Sequence, residues 1–362
     1  MSVIKFPPLP LPFPDVAHPH FNLKDPASDP IQLASNDFLD RFQLGESNEQ
    51  RDRLARGGSA TLAARTYPFG PDELLQIGSD LLMWAFAFDD EYCDEGPLSR
   101  NHARFIEACH RIQRAAESPE HAVGEDRYVL GMQDLRRRMD RYASPAHVGR
   151  FVEYVRTYMF VESWKAVSPE PDLNDCLVMR QYGGGGWMFL NFAHIIAQVD
   201  IQPEEYEDRR VRAMAEIITA LYLWDAERYA FTKESARDTR QHNLHAVLQS
   251  RHGMSFEESL DYHLTMRNRA ISLFRRLHAD FLPGASAAQR AYLDSCINYY
   301  YGAVEWTRTS SRYASNSGLE EEGNYEGGEL VDLVPAETTE PLGIPAFDWW
   351  WHYDPARRSA DD

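Results

Sequence analysis

Five acids crowd into the segment Asp89-Asp90-Glu91-Tyr92-Cys93-Asp94-Glu95. Upstream, Pro71 followed by Asp72-Glu73 reads as a helix start, since proline suits the first turn and acids complement the N-terminal dipole. Leu74, Leu81 and Ala85 mark one face of that helix, and Asp89, four residues past Ala85, continues it. A carboxylate thus stands where packing alone would place an apolar side chain. The C-terminal end of a helix repels carboxylates by a few tenths to about 1 kcal/mol each. An oxygen-seeking cation reverses that sign, and Mg²⁺ takes one or two carboxylates together with waters and phosphate oxygens. The cluster that begins at Asp89 is therefore a candidate metal site. The aromatic residues just before them, Trp84, Phe86 and Phe88, favour a pocket over open water. A solvated acidic helix end is the competing explanation.

Other residues gain meaning only in company. Arg180 alone reads as a solvated arginine beside a loop, and Arg312-Tyr313 alone is non-specific. The run Gly183–Gly186 costs about 1 kcal/mol per residue in a helix, so a helix break is expected there. Tyr182 and Trp187 flank that break, as either cavity-lining or core aromatics. Glu107-Ala108-Cys109-His110 is a single Glu-x-x-His match, with no second one to complete a di-iron site. His242 and His245 read as a surface pair, and Arg136-Arg137-Arg138 as a solvated helix face.

The elements that must position these residues are helices. From about Gln32 to Trp306 the apolar pattern is helical, broken at Arg56-Gly57-Gly58, Phe69-Gly70-Pro71, Glu95-Gly96-Pro97, Ser118-Pro119, Ser168–Pro171, Gly183–Gly186 and Pro283-Gly284. No alternating runs joined by Asn-Gly or Asp-Gly turns point to strands. The expected organisation is a Pro-rich arm over residues 1–30 lying on the surface, one helical body over 31–315, and residues 316–362 as a mobile loop and a tail. The tail carries Trp349-Trp350-Trp351 and is expected to dock on the body.

Composition narrows the partners. Thirty-seven basic against 56 acidic residues give a net charge of −19, which argues against nucleic acid and anionic membranes. An anionic small molecule would need local basic residues or bridging cations. The four cysteines form no CxxC pair. No stretch approaches the ~18 apolar residues of a membrane helix, and a cytoplasmic location is expected.

The string from Phe88 to Gly96 resembles the aspartate-rich metal motif of bacterial class I terpene synthases, the sesquiterpene cyclases in particular. Pro171-Asp172-Leu173-Asn174-Asp175 through Met179-Arg180 resembles the segment that bears their diphosphate-sensing arginine. Trp306 followed by Ser311-Arg312-Tyr313 resembles their C-terminal Arg-Tyr pair, and Thr339-Glu340-Pro341-Leu342 to Trp351 their tail. The resemblance covers nearly the whole chain. It implies an all-α, single-domain helical bundle around an apolar cavity. In that cavity three Mg²⁺ ions hold a prenyl diphosphate, and its ionisation leaves an allylic cation among aromatic side chains. It implies Asp89 and Asp94 as metal ligands with Asp90 in support. Arg180, Lys233, Arg312 and Tyr313 would bind diphosphate, Gly184 would sit in the substrate-facing break, and Phe86, Trp187 and Trp306 would line the cavity.

One motif departs from the family. Its second metal motif places Asn or Asp, Ser or Thr, and Glu at i, i+4 and i+8, on one helix face. Here Lys233-Glu234 matches, but the positions four and eight before Glu234 are Ala230 and Ala226. Asp225 lies about 100° round the helix from Ala226, and Glu227 takes the place of the family's non-ligand acid. Glu234 is left as the one ligand of this set, and fewer than three Mg²⁺ ions are expected. The leading expectation is a cyclase that ionises a linear prenyl diphosphate, farnesyl diphosphate preferred, with atypical metal binding. The alternatives are an enzyme of the same fold acting on a preformed terpenoid, one transferring a prenyl group, or a non-catalytic terpenoid-binding relative. A homodimer is compatible with all of them.

Overall fold

The computed structural model describes residues 4–121, 124–168, 170–237, 242–314 and 325–360. Its helices begin where the sequence places short polar side chains. Ser47, Asp126, Ser144, Asp172, Asn243, Ser255 and Ser286 each accept a hydrogen bond from the backbone of the first turn that follows. Each such cap is worth about 1 kcal/mol.

In chain order the helices are α1 (Pro30–Arg41), α2 (Asn48–Arg56), α3 (Ser59–Thr66), α4 (Asp72–Phe88), α5 (His102–Glu117), α6 (Arg127–Tyr142) and α7 (Pro145–Val167). Then come α8 (Leu173–Tyr182), α9 (Gly186–Ile196), the single turn α10 (Pro203–Tyr206), α11 (Arg209–Arg237), α12 (Leu244–His252), α13 (Phe256–Phe281), α14 (Ala287–Thr309) and the short α15 (Ser311–Ala314). α11 is the axis of the bundle: it packs against α13, α14, α9 and α8, while α14 carries α3 on its other side. α4 joins α3, α1 and α6, and α5 packs on α7. One continuous core runs through all of them. The architecture is all-α. Among the described residues no helix is long and apolar enough to cross a membrane.

Two features differ from the sequence expectation. Short strands do exist: β1 (Ile4–Phe6) pairs in parallel with β3 (Tyr325–Gly327), and β2 (Leu9–Pro10) with β4 (Leu330–Val331). Two or three residues are too few to show a period-two pattern, and the partners lie at opposite ends of the chain. The Pro-rich arm is also not merely laid on the surface, because Phe6, Leu9 and Leu11 are buried. Arg228 of α11 anchors it, donating to the Pro7 carbonyl (3.0 Å) beneath the Phe6 ring.

The tail is held by specific contacts. Trp350 and Trp351 are buried, and Trp350 Nε1 donates to Glu216 Oε2 (3.1 Å). Arg276 forks onto Asp354 (2.9 and 2.7 Å). Of the segment expected to be a mobile loop, residues 315–324 lie outside the described residues, and 325–331 hold β3 and β4.

Candidate active site

The end of α4 does not stop at Phe88. It continues over Asp89–Glu95 as a turn of π-helix, closed by the Gly96 N–H on the Glu91 carbonyl (2.8 Å). The wider turn changes which side chains share a face: residues five apart stack, where an α-helix would stack residues four apart. Asp89, Asp90 and Asp94 thereby bring carboxylate oxygens within 4.8 Å of one another. The other two acids are turned away. Glu91 pairs with Arg127 and accepts from the Tyr128 hydroxyl (2.6 Å), and Glu95 pairs with Arg53 (2.7 Å).

Cations from other elements reach this cluster. Arg312 of α15 forks onto both oxygens of Asp90 (2.8 and 2.9 Å) and also reaches Asp89 (3.2 Å). Lys233 of α11 stands 3.6 Å from Asp90, and Lys165 of α7 stands 4.0 Å from Asp89. Asp94 still feels its surroundings: burial first, then the charge of Asp89, pushes its pKa up to about 8.

The cluster opens onto a cavity. Asp89, Asp94, Arg180, Gly184, Lys233, Glu234, Arg312 and Tyr313 all line it, with Phe86, Phe189, Tyr158 and Tyr222 as its aromatic wall. The glycine run forms the expected break: Gly184 and Gly185 adopt left-handed backbone angles, φ +57° and +72°. A Cβ on Gly185 would come within 2.0 Å of Phe189, so only glycine fits there. Glu162 of α7 pins the break by accepting from the Gly184 N–H (3.0 Å).

Two expected cavity aromatics stand elsewhere. Trp187 is buried behind the break, under the Arg212 guanidinium at 4.0 Å from its ring. The turn at Gly183–Gly185 rotates α9 so that Phe189, two positions on, faces the cavity instead. Trp306 stacks on Phe86 (centroids 5.2 Å apart, rings 6° from parallel) and donates to the Gly57 and Gly58 carbonyls, supporting the cavity wall from outside. His242 and His245 are not a surface pair either. His242 faces the cavity and donates from Nε2 to the Ser168 carbonyl oxygen (2.6 Å), while His245 is buried against Ser259. Burial, then the Lys165 charge, lowers the His242 pKa to about 4, so it is neutral near pH 7.

The opposite wall is the middle of α11. Ala226 and Ala230 face the cavity and present methyl groups. Glu234 shares their stripe, with one oxygen held by the Asn243 side-chain amide (2.8 Å). Glu227 is buried. It pairs with Arg180 and accepts from the Leu244 N–H (2.7 Å). Asp225 takes no part. It faces the core and accepts from Arg267 (2.9 and 3.0 Å) and the Tyr300 hydroxyl (2.7 Å), with His263 at 3.1 Å. Burial raises its pKa, but Arg267 and these partners outweigh that and hold it at about 2.

Donor chemistry therefore separates the two walls. The Asp89, Asp90 and Asp94 oxygens fit a divalent ion with open positions for water and phosphate. The Ala226 and Ala230 positions offer no oxygen at all. Sequence reasoning missed Glu162 and Lys165, although Tyr158, Glu162 and Lys165 fall at i, i+4 and i+7, on one face of α7.

A family model described as "Terpene synthase family 2, C-terminal metal binding" matches residues 80–272, more than half of the chain. The chain belongs to this family. Along its whole length this terpene synthase is similar to (+)-(1(10)E,4E,6S,7R)-germacradien-6-ol synthase of Streptomyces pratensis, at 29% identity over 97% of both chains. It is 24% identical to the 4-epi-cubebol synthase ((2E,6E)-farnesyl diphosphate cyclizing) of Streptosporangium roseum, over 86% of this chain and 92% of that one. Among solved structures it is similar to the SVS_A2 protein from ancestral sequence reconstruction, with a TM-score of 0.82, 28% identity, and coverage of 96% of this chain and 99% of that one. By family it is a bacterial class I terpene synthase, a lyase acting on a diphosphate, and its family is one that uses a divalent metal.

Proposed function

We propose that this terpene synthase ionises a linear prenyl diphosphate, farnesyl diphosphate preferred, and cyclises the resulting cation with fewer than three Mg²⁺ ions. The observation that carries the reading is the convergence of Asp89, Asp90 and Asp94 with Arg180, Lys233, Arg312 and Tyr313 on one aromatic-walled cavity. The farnesyl preference rests on the relative whose name gives that substrate.

In this reading Asp89, Asp90, Asp94 and Glu234 would hold Mg²⁺, which would supply positive charge to the leaving diphosphate. Arg180, Lys233 and Arg312 donate to the diphosphate oxygens, and the Tyr313 hydroxyl adds a neutral donor. The allylic C–O bond breaks, its electron pair leaves on the diphosphate oxygen, and an allylic cation remains. The faces of Phe86, Phe189 and Tyr222 stabilise that cation by ~2 kcal/mol or more each where water is excluded. Ring closure follows, and loss of a proton or capture of water ends it. Binding must first exchange partners, because Arg312 now sits on Asp90 and Arg180 on Glu227. The division into arm 1–30, body 31–315 and tail 316–362 belongs to the same reading, with Arg312-Tyr313 at the end of the body.

A second reading draws on Ala226 and Ala230. Without oxygens on that wall, the cavity would serve an enzyme acting on a preformed terpenoid or transferring a prenyl group. Incubation of the purified protein with C10, C15 and C20 diphosphates, with and without Mg²⁺, separates the two. Mg²⁺-dependent cyclic hydrocarbon or alcohol from the C15 substrate is expected, and no turnover of any of the three overturns the first reading in favour of the second.

A further inference from the structure

Lys165 of α7 places a largely buried ammonium in the lining of the cavity, with 18% of its side chain exposed. Its Nζ lies 3.2 Å from Glu162 Oε2 and 4.0 Å from Asp89 Oδ1. Glu162 is itself buried and fixed, since its other oxygen accepts from the Gly184 N–H (3.0 Å) at the helix break. The ammonium is therefore held in one place, although a buried lysine forfeits both hydration and side-chain freedom. A structural ion pair would explain the contact with Glu162, but not its position against a candidate metal ligand. A fixed cation at that distance from Asp89 repels a divalent ion there, and a site built to hold a full set of metals gains nothing from it. A site short of one metal does gain. The facing wall is short of one, because Ala226 and Ala230 present methyl groups beside Glu234.

We propose that Lys165 is a substrate-binding residue: as a fixed cation it takes up part of the diphosphate charge that the metal at the Ala226–Ala230 face would otherwise neutralise. The proposal rests on the diphosphate-ionising reading above. It also assigns Glu162 a positioning role, holding Lys165 in reach of both the diphosphate and the glycine break.

Calorimetric titration of the full chain with inorganic pyrophosphate in Mg²⁺ tests this without reference to turnover. Lys165→Gln is expected to weaken pyrophosphate binding by about 10- to 100-fold, the range for losing one charge-assisted hydrogen bond. Lys165→Arg, which keeps the charge, is expected to retain most of the affinity. The deciding arm is the double variant A226N/A230S, which restores oxygens on α11: in that background Lys165→Gln is expected to cost clearly less. If Lys165→Gln does not fold, Glu162→Gln/Lys165→Gln removes both charges of the pair and gives the same readout. Unchanged pyrophosphate affinity in Lys165→Gln, or the same loss with and without A226N/A230S, overturns the proposal and leaves the cyclase reading standing. A wild-type protein that binds no pyrophosphate with Mg²⁺ overturns both.

Discussion

The cavity has two walls that meet the same ligand and are built on opposite principles. The Asp89–Glu95 turn concentrates carboxylates and borrows cations from five other helices to balance them. The facing stretch of α11 presents methyl groups at Ala226 and Ala230, and its carboxylates are held within the protein: Glu227 by Arg180, and Glu234 in part by Asn243. On the acidic wall, charge is stored in a form that a metal can take over. On the α11 wall the charge is already settled within the protein. On its core face the same helix carries the buried Asp225 network.

That contrast can be broken at its strongest point first. Asp225→Ala should cost about 3–5 kcal/mol of stability, because Arg267 is left as an uncompensated buried charge. Urea denaturation would show it, and a change under 1 kcal/mol would mean that the α11 core face does not depend on this network. Asp89→Asn should lower Mg²⁺-dependent cyclisation by about 10²- to 10³-fold, on the scale of losing several kcal/mol of leaving-group stabilisation. The melting temperature should move little, and product analysis with the C15 diphosphate gives the comparison. A226N/A230S should raise turnover at limiting Mg²⁺ by about tenfold, one ligand set being worth roughly 1.4 kcal/mol or more. A fall in turnover would show that α11 has been rebuilt for other chemistry.

The acidic wall should also show itself as a slope. Asp94 has a pKa of about 8 in the folded, metal-free protein, against ~3.9 for an unperturbed aspartate. Between those values the folded state keeps a proton that the unfolded chain has released. Stability of the metal-free protein should therefore fall as pH rises from about 4 to about 8, and then level off as far as this group is concerned. Saturating Mg²⁺ or Asp94→Asn should flatten the slope. A thermal-melt series across that pH range in chelator, repeated with Mg²⁺, measures it.

Much of this was legible in the sequence, for local reasons. Helix ends are written in short polar caps and in Gly and Pro, so α4 begins after Pro71 and α8 ends before the glycine run. The gap on α11 was visible because i, i+4 and i+8 share a face whatever the tertiary structure. The rest depended on rotation and distance. Nothing in Asp89–Glu95 announces a π-turn, yet that turn decides that Asp94 joins Asp89 while Glu91 leaves for Tyr128. Trp187 and Phe189 differ by two positions, and the backbone turn at Gly183–Gly185 selects the phenylalanine for the cavity. Lys165 and Glu162 were readable as a stripe, but their importance comes from α7 lying beside the end of α4. His242 and His245 read as surface residues because the packing of α12 against α8 and α13 has no local signature.

The parallel pairing of β1 with β3 and β2 with β4 has a consequence for the order in which the protein can be made. The arm leaves the ribosome long before its partner strands. At roughly 5–20 residues per second, Phe6, Leu9 and Leu11 wait about 15 to 65 s for them. During that time the helices can collapse, but the strap across Arg228 and Tyr229 cannot close. Closure of the arm therefore waits on a distant part of the chain, and until that part emerges the nascent chain carries an unpaired apolar arm.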